Sequence, residues 1–326
     1  MRAVWIGEFK GVDDVGVKEV DAPRPARGEA LVRVRAAGVN RADLLQAAGR
    51  YPPPEGYSPN MPGLEFAGEI VELGEGASGF AAGDRVFGIT AGHAQAEFLV
   101  SHTSLLAAIP EHLSYTEAGG IPEVYITAHD AVFTQNELEH GEMLVIHAAA
   151  SGVGLAAFDL ATAAGARVIG TSRTADKIAK LAELGLENGI VAADGKFSER
   201  VLALTDGRGA DVILDLVGAG YLAENIASLA PKGRLSVVGL TSGTKAEIDL
   251  GAVLRKRASI RGTALRARSL EEKSAATENF IREVVPLLDS GAARPHIDRV
   301  FRLEDVREAY RYLASNESFG KVVLEI

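Results

Sequence analysis

The sequence predicts an α/β protein: a β-rich domain first, then a doubly wound parallel sheet. Three observations carry this. Short strand-like segments separated by Gly and Pro fill the first ~120 residues, and from residue ~122 onward strands alternate with helices. One strand–turn–helix junction in the second region is built almost wholly of small residues. A length of 326 residues accommodates one large or two ordinary domains.

In the first region, residues 29–37 (EALVRVRAA), 68–73 (GEIVEL), 84–89 (DRVFGI) and 96–100 (AEFLV) read as closely spaced strands, the rhythm of a barrel or sandwich. Between them, residues 51–62 (YPPPEGYSPNMP) hold five of the 12 prolines. Proline removes a ladder donor, so this stretch is a rigid exposed loop and no central strand. In the second region residues 143–148 (MLVIHA) form a buried-type strand, and a helix over 152–164 ends at Gly165. A strand at 167–171 and a helix at 175–184 follow. Further strands are expected at 211–216, 233–239 and 258–263, with helical stretches between them. The tail from about Arg294 ends in a strand-like KVVLEI. No internal repeat, low-complexity tract or long charge run interrupts the chain.

Composition removes several classes of function. At 47% hydrophobic and 24% charged residues the chain can bury a large core, which excludes disorder. A net charge of −10 disfavours a broad surface for nucleic acid or anionic membrane. No apolar run nears the ~18 residues of a membrane span, and MRAVWIGEFK is too short and mixed for a signal peptide. A cytoplasmic location is therefore expected. The absence of cysteine excludes disulfides, thiol nucleophiles and Cys-based zinc sites. The seven histidines are scattered, and His93 and His102 lack ligand spacing.

The junction after residues 143–148 reads Ala149-Ala150-Ser151-Gly152-Val153-Gly154. Small residues let backbone amides approach a pyrophosphate, whose charge a helix N-terminus favours. Of G-x-G-x-x-G only A-x-S-x-x-G is present, with Gly152 added, and such a turn also serves plain close packing. Its strand–turn–helix context favours dinucleotide binding. An NAD site places an acid about 20 residues beyond the turn, on the ribose 2′-hydroxyl. Here Gly170-Thr171-Ser172-Arg173 stands instead, with no acid before Asp176 and with Lys177 following it. Ser172, Arg173 and Lys177 could bind a 2′-phosphate, although a solvated basic helix start reads the same way. NADP(H) over NAD(H) is the expectation. No Y-x-x-x-K follows any of the seven tyrosines, and G-x-S-x-G, G-x-x-x-x-G-K-[ST] and H-E-x-x-H are all missing.

A β-domain, a doubly wound domain and a return segment, with Gly63-Leu64-Glu65-Phe66-Ala67-Gly68 in the first, resemble the medium-chain dehydrogenase/reductase superfamily. Zinc-binding members carry G-H-E where this chain has Gly63-Leu64-Glu65, and residues 91–97 (AGHAQAE) replace a four-cysteine lobe. The resemblance is therefore to the zinc-free quinone oxidoreductase branch. It extends through Asn40-Arg41-Ala42-Asp43-Leu44, Gly49-Arg50-Tyr51-Pro52-Pro53-Pro54, residues 147–154, Leu265-Arg266-Ala267-Arg268-Ser269 and Gly320-Lys321-Val322-Val323-Leu324. These run in the same order over nearly the whole chain.

This resemblance implies a GroES-like β-barrel substrate domain at 1–122, completed by 292–326, and a Rossmann domain at 123–291. It implies NADPH in the cleft between them, no metal, and a homodimer joined through the Rossmann sheets. Ser151, Gly152 and Val153 would line the phosphate turn, and Ser172, Arg173 and Lys177 the 2′-phosphate. Thr127, Gly239 and Leu240 would lie along the nicotinamide, with Leu265 and Arg266 closing over the cofactor. Ser318 stands where relatives have Asn. One departure is that residues 190–194 (IVAAD) lack the tyrosine that relatives carry beside the adenosine 2′-phosphate.

The implied activity is NADPH-dependent reduction of quinones by hydride transfer. The cofactor carries the hard step, and a conjugated carbonyl accepts hydride without metal polarisation. Tyr51 could stack on a planar substrate or donate a proton, and Asn40 could bond the developing oxyanion. Alternatively Tyr51 only anchors its loop and Asn40 only caps a turn. A 2-alkenal or enone reductase is the rival enzyme, and a non-catalytic NADPH-binding sensor or structural protein is the rival of another class.

Overall fold

A computed structural model describes all the residues, Met1–Ile326. In chain order the strands are β1 (Arg2–Ile6), β2 (Val15–Glu19), β3 (Glu29–Val39), β4 (Glu65–Leu73), β5 (Arg85–Ile89), β6 (Phe98–His102) and β7 (Leu106–Ala108). Then come β8 (Met143–Ile146), β9 (Arg167–Ser172), β10 (Asn188–Val191), β11 (Ala210–Asp215), β12 (Leu229–Val237) and β13 (Ser259–Gly262). The last two are β14 (Ile297–Arg302) and β15 (Lys321–Glu325). The chain divides into two compact units, Met1–Ile126 with Leu265–Ile326, and Thr127–Ala264.

In the first unit β3 is the organising strand. Its Ala30, Val32, Val34 and Ala36 are buried while Leu31, Arg33 and Arg35 are not, the period-2 pattern of a strand with one face on a core. β3 pairs antiparallel with β4, β6 and β15 in a seven-stranded sheet ordered β14-β15-β3-β4-β5-β7, with β6 also on β3. Register shifts at Leu31/Val32 and Val34/Ala36 bend it against β4, as bulges do. Pairing of Val322 with Val39 and of Val323 with Gly38 brings the C-terminus back into the N-terminal sheet. The hairpin of β1 and β2, and the strands β10 and β14, were not among the strands read from the sequence.

The return to the first unit comes earlier than residue 292. Residues 265–291 belong to this unit because their side chains are spent on it. Arg266 donates from Nε to Ala91 O (2.8 Å). Ser274 Oγ lies 2.6 Å from Ser104 Oγ. Phe280 meets the ring of Phe87 edge-on at 5.5 Å. At the other junction the units divide after Ile126 rather than at 122. The helix Leu270–Asn279 continues the strand–helix rhythm of the preceding residues, so pattern alone assigns it to the wrong neighbour.

The second unit is a six-stranded, all-parallel sheet ordered β10-β9-β8-β11-β12-β13. Counted within the unit this is 3-2-1-4-5-6, the dinucleotide-fold order, with its reversal at the pair β8 and β11. Every residue of β8 and of β11 is buried, as central parallel strands covered on both faces require.

The C-terminal return is locked by one buried ion pair. Lys321 Nζ lies 2.6 Å from Glu65 Oε1, with side-chain exposures of 4% and 0%. Gly38 makes room for it, because a Cβ there would stand 2.1 Å from Glu65 Oε1. Removing one partner of such a pair leaves an uncompensated charge. Lys321→Met is therefore expected to cost about 3–5 kcal/mol in urea unfolding, and adding Glu65→Leu to recover at least half of the loss. A single variant within 1 kcal/mol of wild type, on the order of a surface change, would contradict this.

Candidate active site

The second unit supplies a turn built to receive an anion. After β8, Ala148 adopts a left-handed conformation (φ 48°), uncommon for a residue with a side chain. Ser151 then caps the helix Gly152–Ala163, its Oγ accepting from Gly154 N at 3.2 Å. The amides of Gly152 and Val153, in the first turn of the helix, have no intrahelical acceptor, and both residues are half-exposed. Gly154 must lack a side chain, since a Cβ would stand 2.6 Å from Ala149 O. Open amides at a helix N-terminus, in a cradle only small residues can form, fit a dinucleotide pyrophosphate.

Beneath this turn lies a buried polar relay. Asn225 Nδ2 donates to Asp215 Oδ2 (2.9 Å), which leaves Asn225 Oδ1 to accept from His147 Nε2–H (2.6 Å). His147 Nδ1 is then the acceptor for the Thr171 hydroxyl at 2.9 Å. Asp215 Oδ1 takes the amides of Val217 (2.7 Å) and Gly218 (2.9 Å). The relay ties together the carboxyl ends of β8, β9 and β11. Burial drives the His147 imidazole down to about 4, so it is neutral at physiological pH. Burial also raises the Asp215 carboxyl, against the opposing pull of the two amides and Asn225.

Beside the turn, the end of β9 carries buried Ser172, exposed Arg173 and half-buried Lys177. Residues 190–194 have no aromatic, yet the unit provides one from elsewhere in the chain. Tyr221 donates its hydroxyl to Ala192 O (3.2 Å) and packs against His147 and Phe197, each with ring centroids 4.9 Å away. Burial raises its phenol and the Arg173 charge lowers it. Its approach to β10 spans 29 residues, a separation no local motif reveals. Gly239 is half-buried after β12, and a Cβ there would stand 2.3 Å from Leu216 O. Leu240 is exposed, and Thr127 is half-buried at the start of the unit.

The first unit holds the other residues in a layer of buried polar groups. Glu65 Oε1 accepts from Lys321 Nζ (2.6 Å) and Asn40 Nδ2 (2.9 Å), and Glu65 Oε2 from Glu123 N (2.9 Å). Lys321 also donates to Asn40 Oδ1 (2.7 Å) and Val39 O (3.3 Å). Asn40 precedes the helix Arg41–Ala47, where Asp43 returns a bond to the Asn40 amide (2.8 Å). Asn40 is thus a helix cap held by both members of the ion pair, with one amide proton left over. Asp43 further accepts from Gly63 N (3.1 Å) and Gln95 Nε2 (3.3 Å), and burial pushes its carboxyl up to about 6.

Arg266 is 4% exposed and donates to Ala91 O, Tyr51 O (2.9 Å) and Gln46 Oε1 (2.5 Å). Its guanidinium carbon lies 5.1 Å from the centre of the Tyr51 ring. Its side chain therefore anchors the proline-rich loop within this unit. Leu265 beside it is buried, and Ser318 is half-buried before β15. Burial raises the half-buried Tyr51 phenol, aided by the charge of Glu123 and opposed by Arg266.

Glu123 is the residue that sequence reasoning missed. It lies in the first turn of the helix Pro122–His129, where an acid is ordinarily a dipole partner. Here burial, then the Glu65 charge, push its carboxyl up to about 8. No local feature of Ile121-Pro122-Glu123 signals this, because Glu65 is 58 residues away.

Residues 26–136 match the family described as alcohol dehydrogenase GroES-like domain, and residues 152–282 match zinc-binding dehydrogenase. The mouse protein named quinone oxidoreductase-like protein 2 is 32% identical over 100% of this chain and 92% of its own length. The chain belongs to the medium-chain dehydrogenase/reductase family. An Escherichia coli quinone oxidoreductase complexed with NADPH superposes on this chain with a TM-score of 0.90, 26% identity and full coverage of both chains. A CurK enoyl reductase does so with a TM-score of 0.89 and 26% identity, over 99% of this chain and 98% of its own. The protein is accordingly an oxidoreductase of that family built for a nicotinamide cofactor. The zinc in the family description does not fit this chain: Leu64 stands at the histidine position, Glu65 is taken by Lys321, and no group of three His, Cys, Asp or Glu is disposed to hold a metal.

The relay generates a pH dependence. An imidazole at about 4 when folded and about 6.5 when unfolded takes up its proton first in the unfolded chain. Its stabilising contribution is complete above pH ~6.5 and falls away as pH drops toward 4, by roughly 3 kcal/mol in all. Urea unfolding of wild type and His147→Gln at pH 7, 5.5 and 4.5 is expected to show a steeper decline for wild type. Parallel declines would refute it.

Proposed function

We propose that the protein is a zinc-independent NADPH:quinone oxidoreductase. The observation that carries this reading is the pairing of open Gly152 and Val153 amides with Ser172, Arg173 and Lys177 at the end of the next strand. A carboxylate in place of those residues would repel a 2′-phosphate, whereas hydroxyl, guanidinium and ammonium donors favour it. The bound cofactor supplies hydride. The chain's part is to hold the pyrophosphate at the turn, to discriminate the 2′-phosphate, and to present Tyr51 as a planar apolar surface for the acceptor. Thr127, Gly239, Leu240, Leu265 and Ser318 are assigned to the cofactor on the family resemblance.

A 2-alkenal or enone reductase is the second reading, favoured by the CurK enoyl reductase likeness. Both acceptors are conjugated carbonyls, so the same scaffold serves either. NADPH oxidation with 9,10-phenanthrenequinone and with a medium-chain enal separates them by kcat/KM. Tight NADPH binding with no turnover on either would point to the sensor reading.

We also assign a homodimer through β13, one of the two free edges of the parallel sheet, the other being β10. Ile260 on this strand, and Leu250 and Leu254 on the preceding helix, are exposed at 37%, 69% and 76%. An unpaired edge flanked by apolar side chains favours pairing with a second copy. No helix is long and apolar enough to cross a membrane, and a cytoplasmic enzyme is the proposed setting.

Two outcomes follow. Arg173→Ala with Lys177→Ala is expected to weaken NADPH binding by roughly tenfold to a hundredfold, and NADH binding by less than about threefold, in fluorescence titration. Equal effects would remove the 2′-phosphate assignment. Leu254→Glu with Ile260→Glu is expected to convert a sedimenting dimer to monomer, and an unchanged sedimentation coefficient would remove the edge assignment.

A further inference from the structure

We propose that Glu123 is the proton donor of this reductase, giving its carboxyl proton to the anion left on the acceptor after hydride transfer. The proposal rests on the reductase reading above and names the acid that reading requires.

The placement is set by bonds already described. The Glu123 amide is tied to Glu65 Oε2 at 2.9 Å, and Glu65 is fixed by Lys321 and Asn40. The backbone of Glu123 is therefore pinned to the buried ion pair. Its side chain is not. Of the groups that act on its charge, Glu65, Lys321, Asp43 and Arg266 are all engaged with one another, with Gln46 and Gln95, or with backbone. The Glu123 carboxyl accepts no hydrogen bond from the chain, and the residue keeps partial exposure. It is the acid of this layer with a hand free for a ligand.

The charges around it suit a donor that must hold a proton and then release it. Glu65 on β4 and Asp43 on the helix Arg41–Ala47 oppose its ionisation. Lys321 on β15, Arg266 after β13 and Lys273 on the helix Leu270–Asn279 favour the carboxylate once the proton has gone. Burial dominates, so the carboxyl loses its proton only near pH 8. That value matches a general acid to neutral solution. Tyr51 shares the same field, but burial holds its phenol above the ordinary value near 10, which makes it the weaker acid.

The balance is simple. The reduced nicotinamide, when bound, would supply hydride by breaking a ring C–H bond and becoming the oxidised ring; the quinone or enone would gain one new bond to hydrogen and be left as an anion. The Glu123 O–H bond breaks and its proton neutralises that anion. The resulting carboxylate takes a proton from water before the next turnover.

The test uses the full chain with NADPH, phenanthrenequinone and a medium-chain enal. Wild-type kcat should fall as pH rises through 8. Glu123→Gln keeps an N–H donor but has no transferable proton. Its kcat should drop about a hundredfold, with the alkaline limb lost, while KM and the NADPH dissociation constant stay within about threefold. Glu123→Asp should restore part of the rate together with a pH limb. A Gln variant with wild-type kcat and an unchanged pH profile overturns the proposal and leaves the reductase reading standing. A wild-type protein that oxidises NADPH with neither acceptor overturns both. Should the Gln variant fail to fold, wild type alone decides, and a kcat flat from pH 7 to about 9.5 overturns the assignment.

Discussion

The Lys321–Glu65 pair is the contact on which the first unit turns. A charged pair taken this far from water is tolerated only when its remaining hydrogen-bond capacity is filled. Here Val39 O, Asn40 and the Glu123 amide fill it. The groups come from the last strand, from β4, from the organising strand, and from the starts of two helices. Meeting that requirement assembles strands from both ends of the sequence and fixes where Asn40 and Glu123 begin their helices. A constraint that first serves folding thereby sets the geometry of the polar layer.

Much of the architecture was legible in the chain. The alternation in β3, the continuous apolar runs of β8 and β11, and the small-residue turn after β8 each follow from local pattern. What escaped depends on partners distant in sequence. β1 and β2 are short and mixed, and they become strands by pairing with each other. The segment from Leu265 onward reads like the next helix of a strand–helix series, and only Arg266, Ser274 and Phe280, through their contacts with residues 51, 91, 104 and 87, return it to the first unit.

The candidate site divides the same way. The cofactor turn was readable because its chemistry is carried by backbone amides and by consecutive residues. Glu123 and Tyr221 were not, since each acquires its character from groups far along the chain. An acid in a first helical turn is commonplace until burial and a second carboxylate are brought to bear on it. Asn40 shows the converse. Its residue type suggested a substrate contact, and the structure commits it to capping and to the ion pair, leaving a single proton for anything else.

Gly38 bears on how such a chain can diverge. With Glu65 Oε1 2.1 Å from where a methyl group would be, any side chain at 38 evicts the carboxylate and strands the ammonium of Lys321. Positions 38, 65 and 321 are consequently coupled to one another. A lineage altering any of them must alter the others almost at once, which predicts correlated replacement at these three sites and a gap in the mutational path between this polar layer and any different one.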